Sequence, residues 1–172
     1  MIKRTSAPGF ADGADCGGQP RFLPLMTFEA RVRPELAIPR AAKESKLSIC
    51  YFSGGRFKGA RMRGEVLPGG GDWAFCRHPD SIDIDVRAVL RTEDRALIYL
   101  TYSGMWRAAS GLIPKAIARG GERSFHPADH YLRVMGRFET AARRYRWLND
   151  VLAIGIGSRI RTGIRYEFFE LL

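Results

Sequence analysis

The stretch SIDIDVRAVLRT, residues 81–92, decides the fold class of this chain, because apolar and polar side chains alternate along it. Its apolar set falls on one side of an extended backbone: Ile82, Ile84, Val86, Ala88 and Leu90. Side chains of a β-strand point alternately to its two faces, so the pattern predicts a strand with one buried face. Whether the opposite, charged face meets solvent or an interior is left open, and solvent is the commoner case.

Six more segments are rich in the aromatic and β-branched residues that strands favour. They are residues 22–33, 46–52, 96–106, 129–138, 151–158 and 163–172. Turn-forming glycine, proline and aspartate separate them, and this spacing of short strands is typical of an antiparallel sandwich or barrel. A turn or two of helix is expected only in FETAARRYRWLND, residues 138–150. The sequence therefore predicts an all-β fold with at most one or two short helical segments.

The length of 172 residues suits one domain with a sizeable core. Residues 1–20 are poor in large apolar groups, which predicts a disordered leader before a domain that spans residues 21–172. The leader lacks the apolar segment of a secretory signal, and no apolar run is long enough to cross a bilayer. We therefore expect a soluble protein of the cytoplasm with no membrane partner.

Cysteine and histidine usage gives no sign of a disulfide framework or a metal site. The three cysteines are Cys16, Cys50 and Cys76. Their odd number and the lack of C-x-x-C spacing fit a reducing compartment, and Cys50, in the apolar run LSICYF, is interpreted as a small buried hydrophobe. The three histidines, without metal-binding spacing, are His78, His126 and His130. No metal and no redox cofactor are predicted.

The formal net charge of +10 at pH 7 favours an anionic partner. Clustered lysine and arginine would indicate nucleic acid, because they neutralise phosphates. Here the basic residues are scattered and often lie near acids, and the tightest cluster is Arg143, Arg144 and Arg146. No helix-turn-helix, RNA-recognition motif or zinc finger accompanies them. The charge therefore predicts a solvated surface and an anionic small ligand, with nucleic-acid binding as a weaker alternative.

A glycine run follows a proline in VLPGGGDW, residues 66–73. Pro68 followed by Gly69 suits a tight turn, because proline fixes φ and glycine accepts positive φ. A turn alone does not explain Asp72 and Trp73, since a tryptophan after a turn buries a large area only against a core or a ligand. A structural turn and a binding rim are the two interpretations.

Three segments, taken together and in order, resemble the DUF3237 family, also called UPF0311: residues 52–73, 82–94 and 136–157. They contain an LPGG-x-DW turn, a D-V-R strand, an F-E-T stretch and a W-L-N stretch, and the resemblance covers residues 21–172. It implies a compact antiparallel β-barrel found in small bacterial and fungal proteins, most without an assigned activity. Some such proteins are linked to the degradation of aromatic compounds, including a lyase that converts hydroxylaminobenzoate into a dihydroxybenzoate and ammonia.

The residues of this chain that match the family motif are Gly69, Gly70, Asp72, Trp73, Asp85, Arg87, Glu139, Thr140, Trp147, Leu148 and Asn149. The chain departs from the family pattern in two turns beside the D-V-R strand, where HPDS and Arg95 stand in place of Asp-Gly steps. With the barrel that the resemblance implies, we interpret Gly69 to Gly71 as a turn at the barrel mouth. This turn would aim Asp72 and Trp73 into a pocket.

Under this resemblance the site combines acids, an arginine and aromatic rings. Arg87 would bind a substrate carboxylate through its planar guanidinium. The catalytic candidates, which would move protons or position water, are Asp72, Asp85 and Glu139. The candidates that would stack on or orient an aromatic ring are Trp73, Trp147, Tyr102, Tyr131 and Asn149. For each aromatic residue taken alone, core packing is the competing interpretation.

These observations predict a single antiparallel β-barrel that binds a small aromatic, anionic molecule. The first hypothesis is a cofactor-independent lyase of aromatic-compound degradation, acting on a small acid such as hydroxylaminobenzoate. The alternatives are a non-catalytic small-molecule binding protein and a basic nucleic-acid-binding module. An unpaired strand edge would also allow the barrel to form a homo-oligomer.

Overall fold

The computed structural model describes residues 19–33, 36–39, 46–78, 80–109, 111, 113 and 130–172. Of the predicted leader, only residues 19 and 20 belong to these ranges, and Cys16 and His126 lie outside them. In the described part of the chain, no helix is long and apolar enough to cross a membrane.

Ten β-strands and one short 3-10 helix form within these ranges. The strands are β1 (Phe22–Val32), β2 (Leu36–Pro39), β3 (Lys46–Lys58), β4 (Arg63–Val66), β5 (Gly71–His78), β6 (Ser81–Thr92), β7 (Leu97–Ala108), β8 (His130–Glu139), β9 (Leu152–Ile160) and β10 (Gly163–Leu171). The 3-10 helix spans Arg143–Asp150, between β8 and β9. All seven segments predicted as strands form strands, and the segment predicted as helical supplies the 3-10 helix.

The strands close into an antiparallel barrel with eight strand positions. Strands β5 to β10 pair successively in chain order. Strand β10 pairs with β1, and β1 pairs with β3, which closes the sheet. Two positions each hold two strands in succession: β1 and β2 lie along one side of β3, and β4 and β5 lie along the other. The predicted single antiparallel barrel is confirmed.

Strand β6 shows which face of the sheet is buried. Ile82, Ile84 and Val86 point into the barrel, and Asp85 and Arg87 point to solvent. Burying an aliphatic side chain stabilises the fold by roughly 1.5–3 kcal/mol, whereas an isolated ion would have to give up its hydration. The orientation that the sequence left open is therefore the common one, with the charged face outside.

One end of the barrel is packed solid. Leu90 and Ile98 are fully buried there. The 3-10 helix covers this end with Tyr145 and Leu148, both buried, and the Tyr145 hydroxyl donates a hydrogen bond to Asp94 Oδ1 at 2.9 Å. The opposite end is left to form a cavity.

The glycine run joins β4 to β5 within one strand position. Strand β4 pairs with the later half of β3 and β5 with the earlier half, so the two strands run in the same direction. Gly69 has a φ of +101°, and its N–H donates to the Phe52 carbonyl at 3.3 Å, while the Phe52 N–H donates to the Gly70 carbonyl at 2.8 Å. The predicted turn therefore forms at Pro68 and Gly69, but its predicted place at the barrel mouth is wrong, because the run lies in the middle of a strand position.

Candidate functional site

The half of the barrel away from the 3-10 helix encloses a cavity of about 340 Å³. Much of its wall is apolar and includes Phe52, Ala74, Ile84, Val86 and Leu132. This volume lies in the range of small-molecule sites, which combine apolar walls with a few polar groups. The polar and sulfur-bearing side chains that border it are Arg33, Ser48, Cys50, Asp72, Cys76, Tyr102, Trp106, Arg159 and Tyr166.

Asp72 is the acid of this cavity. The alternation of β5 places Asp72, Ala74 and Cys76 on the cavity wall. Asp72 Oδ1 accepts a hydrogen bond from the backbone N–H of Asp85 at 3.0 Å. Burial raises the pKa of Asp72 to about 7 against the opposing effect of that hydrogen bond, and the charge of Asp85 adds to the rise. At neutral pH, the protonated and the ionised forms of Asp72 are therefore both populated.

Two tyrosines share the cavity with Asp72. Tyr102 and Tyr166 are buried, and their rings meet edge to face with centroids 5.1 Å apart. Burial raises the pKa of both hydroxyls well above the usual value, and the charge of Asp72 acts in the same direction on each. Both hydroxyls therefore keep their protons and remain hydrogen-bond donors.

Arg159 brings positive charge to the cavity. It lies near the end of β9, in phase with the buried Gly155 and Gly157. Burial lowers the pKa of Arg159, but a guanidinium stays charged at any ordinary pH. Its buried Nε finds no hydrogen-bond acceptor within the described ranges. A cation in this position favours an anionic ligand.

Two thiols also border the cavity. Cys50 lies directly opposite Asp72 in the β3–β5 ladder, and its electrostatic interaction with Arg159 raises the pKa of Arg159 against the effect of burial. Cys76 Sγ lies 3.6 Å from Ser48 Oγ. Cys50 is half-buried on the cavity wall, so the interpretation of this residue as a simple buried hydrophobe is corrected. Among the residues that the structure describes, no three His, Cys, Asp or Glu side chains gather into a group suited to a metal ion.

Of the nine residues predicted from the sequence to form the site, Asp72 and Tyr102 line the cavity. Asp85 and Arg87 lie on the outer surface, where Arg87 Nη1 donates to Asp85 Oδ2 at 3.1 Å. Trp73 also faces outward, and the Arg87 guanidinium lies 5.5 Å from its ring centre. Consecutive residues of a strand point to opposite faces, so Asp72 and Trp73 do not enter the cavity together.

Four predicted residues lie away from this wall: Tyr131, Glu139, Trp147 and Asn149. Tyr131 and Glu139 belong to the exposed face of β8. Asn149 ties the 3-10 helix to the end of β8, because its Nδ2 donates to the Thr140 carbonyl at 3.1 Å and its Oδ1 accepts from the Thr140 N–H at 2.9 Å. The Trp147 ring is covered by the Arg61 guanidinium, 3.6 Å from the ring centre. The structure does not bring these four side chains to Asp72.

Sequence reasoning missed Trp106, Arg159 and Tyr166 as cavity residues. Each belongs to a strand of the described barrel and is in phase with buried neighbours on that strand. The clearest sequence signal was at Arg159, a cation that follows the small residues Gly155 and Gly157 at steps of two. This spacing predicts a cavity position for Arg159 only when it is known which face of the strand points into the barrel.

Comparisons with known proteins agree with this fold. The model of a family described as Protein of unknown function (DUF3237) matches residues 20–171. A UPF0311 protein of Rhodopseudomonas palustris is 32% identical over 124 residues, which cover 72% of this chain and 79% of that protein. A solved β-barrel-like protein of Acinetobacter baumannii is 28% identical with a TM-score of 0.76, over 92% of this chain and 99% of that chain. An enzyme from Penicillium herquei shares the fold at 19% identity and a TM-score of 0.69, over 92% of this chain and 99% of that chain.

Proposed function

The chain belongs to the DUF3237 family, and from that premise we propose that it is an enzyme that binds a small aromatic acid and acts on it by proton transfer. The observation that carries the proposal is Asp72, a carboxyl group with a pKa of about 7 on the wall of an apolar cavity. General acid–base catalysis uses a group that changes its protonation state near the working pH.

The size and the side chains of the cavity favour an aromatic ligand. A volume of about 340 Å³ suits a molecule with a single ring. Phe52, Tyr102, Tyr166 and Trp106 contribute aromatic surface to the wall, against which a ring packs by stacking or edge contacts. The ligand therefore gains most of its burial from its ring and its orientation from the polar groups.

We assign the carboxylate of the ligand to Arg159. A guanidinium binds a carboxylate through two parallel N–H···O bonds, and Arg159 borders the cavity. Arg33 lies at the exposed rim of the same cavity and adds positive charge on the way in. Arg87, the anchor expected from the sequence, is ion-paired on the outer surface instead.

The finer proposal is a lyase reaction of the kind that the family resemblance implies. With hydroxylaminobenzoate, protonated Asp72 would give its proton to the hydroxyl, which leaves as water. One water would then add to the ring, and a second would hydrolyse the resulting ring imine and release the nitrogen as ammonia. The net change adds one water and releases one ammonia, so no electrons pass to another molecule. Tyr102 and Tyr166, which remain donors, would orient the leaving hydroxyl or the incoming water.

Titration calorimetry at pH 6 with benzoate, hydroxybenzoates, hydroxylaminobenzoate and neutral benzamide tests the anchor. Arg159→Gln should weaken the binding of the carboxylates at least tenfold and leave the affinity for benzamide unchanged, because a charged hydrogen bond contributes about 1.5–3 kcal/mol. Arg87→Gln makes the same change on the outer surface and should leave every affinity within about twofold. Loss of affinity in Arg87→Gln but not in Arg159→Gln would overturn the assignment.

Turnover of the best-bound acid tests the role of Asp72. Asp72→Asn keeps the shape of the side chain but removes its titration, so product and ammonia release should fall about a hundredfold or more while the Kd at pH 6 stays within about threefold. Asp83→Asn removes an outer carboxylate from the neighbouring strand and should keep full turnover. Binding without turnover of any acid would make the barrel a non-catalytic binding protein, and no binding at all would refute both functions.

A further inference from the structure

Charge is sparse on the wall of the cavity. Its described residues include one carboxyl group, Asp72, and two cations, Arg33 at the exposed rim and Arg159 deeper in. The neighbours of Asp72 differ in what they present. Strand β6 places the aliphatic Val86 directly opposite it, and β3 places the thiol of Cys50 on the other side.

No described cation neutralises Asp72 directly. The ion pairs formed among the described residues do not include it, and its polar contact is the N–H of Asp85. Tyr102 and Tyr166 approach from β7 and β10 as neutral donors. Arg159 interacts electrostatically with Cys50, whereas the group whose charge acts on Asp72 is Asp85, on the outer face. Among the described residues, no positive charge therefore acts on Asp72 to balance the charge of a second anion beside it.

From this charge balance we infer that the cavity binds a monocarboxylate together with one proton, which Asp72 takes up as the anion enters. The inference rests on the proposed function and states the form in which the substrate class is bound. The anion occupies Arg159, and the proton goes to a carboxylate oxygen of Asp72. The bound state then holds the anion paired with Arg159 and a neutral acid at Asp72, while Arg33 stays at the exposed rim.

Two physical effects of the ligand act on Asp72 in the same direction. The negative charge of the ligand disfavours a second negative charge nearby, and interactions between charges are stronger in a cavity than in water. The ring of the ligand also expels water, which removes hydration from the carboxylate and again favours its neutral form. Protonated Asp72 is in addition the form that a proton donor to the substrate requires. Binding of the ligand thus favours the protonated form of Asp72.

Proton uptake makes affinity depend on pH in a defined way. Above pH 7, where free Asp72 is mostly ionised, the affinity of the wild-type protein for benzoate should fall, by up to about tenfold per pH unit. Below pH 6 the affinity should level off, because Asp72 already carries its proton. In Asp72→Asn the affinity should be flat over the same range and exceed that of the wild type at pH 8.5.

Titration calorimetry of the full chain with benzoate at pH 8 measures the proton directly. Phosphate and Tris differ in ionisation enthalpy, so the slope of the observed binding enthalpy against that quantity counts the protons taken up. Benzoate stays ionised in solution at this pH, and the slope therefore reports on the protein. We expect about one proton per benzoate in the wild type and none in Asp72→Asn.

Two control variants locate the proton. Cys50→Ser removes the neighbouring thiol and Asp83→Asn removes an outer carboxylate, and both should retain the full uptake. Binding of benzoate with no uptake, with proton release, or with uptake that persists in Asp72→Asn would overturn the inference and leave the proposed function standing. Absence of binding by every acid tested would refute the proposed function first. If Asp72→Asn does not fold, the wild-type slope and its pH dependence still decide.

Discussion

At the residue scale, the face of a strand decides what an aspartate does. Asp72 and Asp85 lie in the neighbouring strands β5 and β6 and are joined by the hydrogen bond from the Asp85 N–H to Asp72 Oδ1. Asp72 borders the cavity and has a pKa of about 7, whereas Asp85 is exposed and pairs with Arg87. One residue type thus supplies both an acid on the cavity wall and a solvated surface charge.

The raised pKa of Asp72 makes the stability of the fold depend on pH. Folded Asp72 keeps its proton up to about pH 7, whereas in the unfolded chain it loses the proton near the ordinary value of 3.8. Between these values the folded state binds more protons, so this group lowers the free energy of unfolding as pH rises from about 4 to about 7. The stability that Asp72→Asn gains relative to the wild type should therefore grow across this window and level off above it.

Urea denaturation at pH 4.5, 6 and 7.5 measures that difference for the wild type and Asp72→Asn. Asp83→Asn is the matched control, because it removes a carboxylate from the outer face of the adjacent strand. A difference between the wild type and Asp72→Asn that stays constant over the three pH values would contradict the raised pKa.

At the element scale, the break between β4 and β5 shifts the register of this strand position, because residues 67–70 lie opposite only 52–54 of β3 and 88–89 of β6. Strand β4 pairs with β3 and β6 on its two sides, and β5 does the same after the break. The Leu67 N–H donates to the Val89 carbonyl at 2.8 Å, so β6 supports the chain through the interruption. Asp72 follows directly, and its place on the cavity wall depends on this path.

Two glycines of the break should differ in what they tolerate. A Cβ at Gly70 would lie 2.5 Å from the carbonyl oxygen of Arg87, so the backbone of β5 or β6 would have to move. A Cβ at Gly69 would meet open space, but the φ of +101° there strains any residue other than glycine. We expect Gly69→Ala to lower the free energy of unfolding by about 1 kcal/mol and Gly70→Ala by about 2 kcal/mol or more. Urea denaturation compares them, and equal losses would show that the Gly70 contact is relieved without backbone movement.

At the scale of the whole molecule, the two ends of the barrel differ in how tightly they are packed. The packed end, under the 3-10 helix, buries large apolar side chains such as Leu90, Ile98 and Leu148 completely. The other end gives up part of that packing to enclose a cavity. Protein interiors are otherwise close-packed, so the stability of the fold rests on the packed end and the candidate chemistry on the open one.

A pair of truncations tests this division. Leu148→Ala removes a fully buried side chain from the packed end and should lower the free energy of unfolding by about 3 kcal/mol. Ile84 borders the cavity and already lacks partner atoms on that side, so Ile84→Ala should cost about 2 kcal/mol or less. Benzoate titration should show changed affinity in Ile84→Ala alone. A larger loss of stability in Ile84→Ala, or altered binding in Leu148→Ala, would contradict the division.

Local pattern was sufficient for much of the fold. The alternation in residues 81–92 and the aromatic and β-branched runs identified seven strands, because period and propensity are properties of consecutive residues. Strands β2, β4 and β5 were not predicted, since β2 and β4 have only four residues each and β5 begins at the last glycine of the glycine run. Their pairing with β3 and β6 holds them in place, and pairing partners lie far away in the sequence.

The sequence by itself determined the all-β class, the strand-rich segments and, through its motifs, Asp72 as a candidate acid. Only the tertiary structure decided that Asp72, Tyr166 and Arg159 line the same cavity while Arg87 lies outside. Alternation separates the two faces of each strand but does not say which face is concave. Closure of the sheet settles that question for all strands together, because a barrel has one interior and every strand must turn the same kind of face toward it.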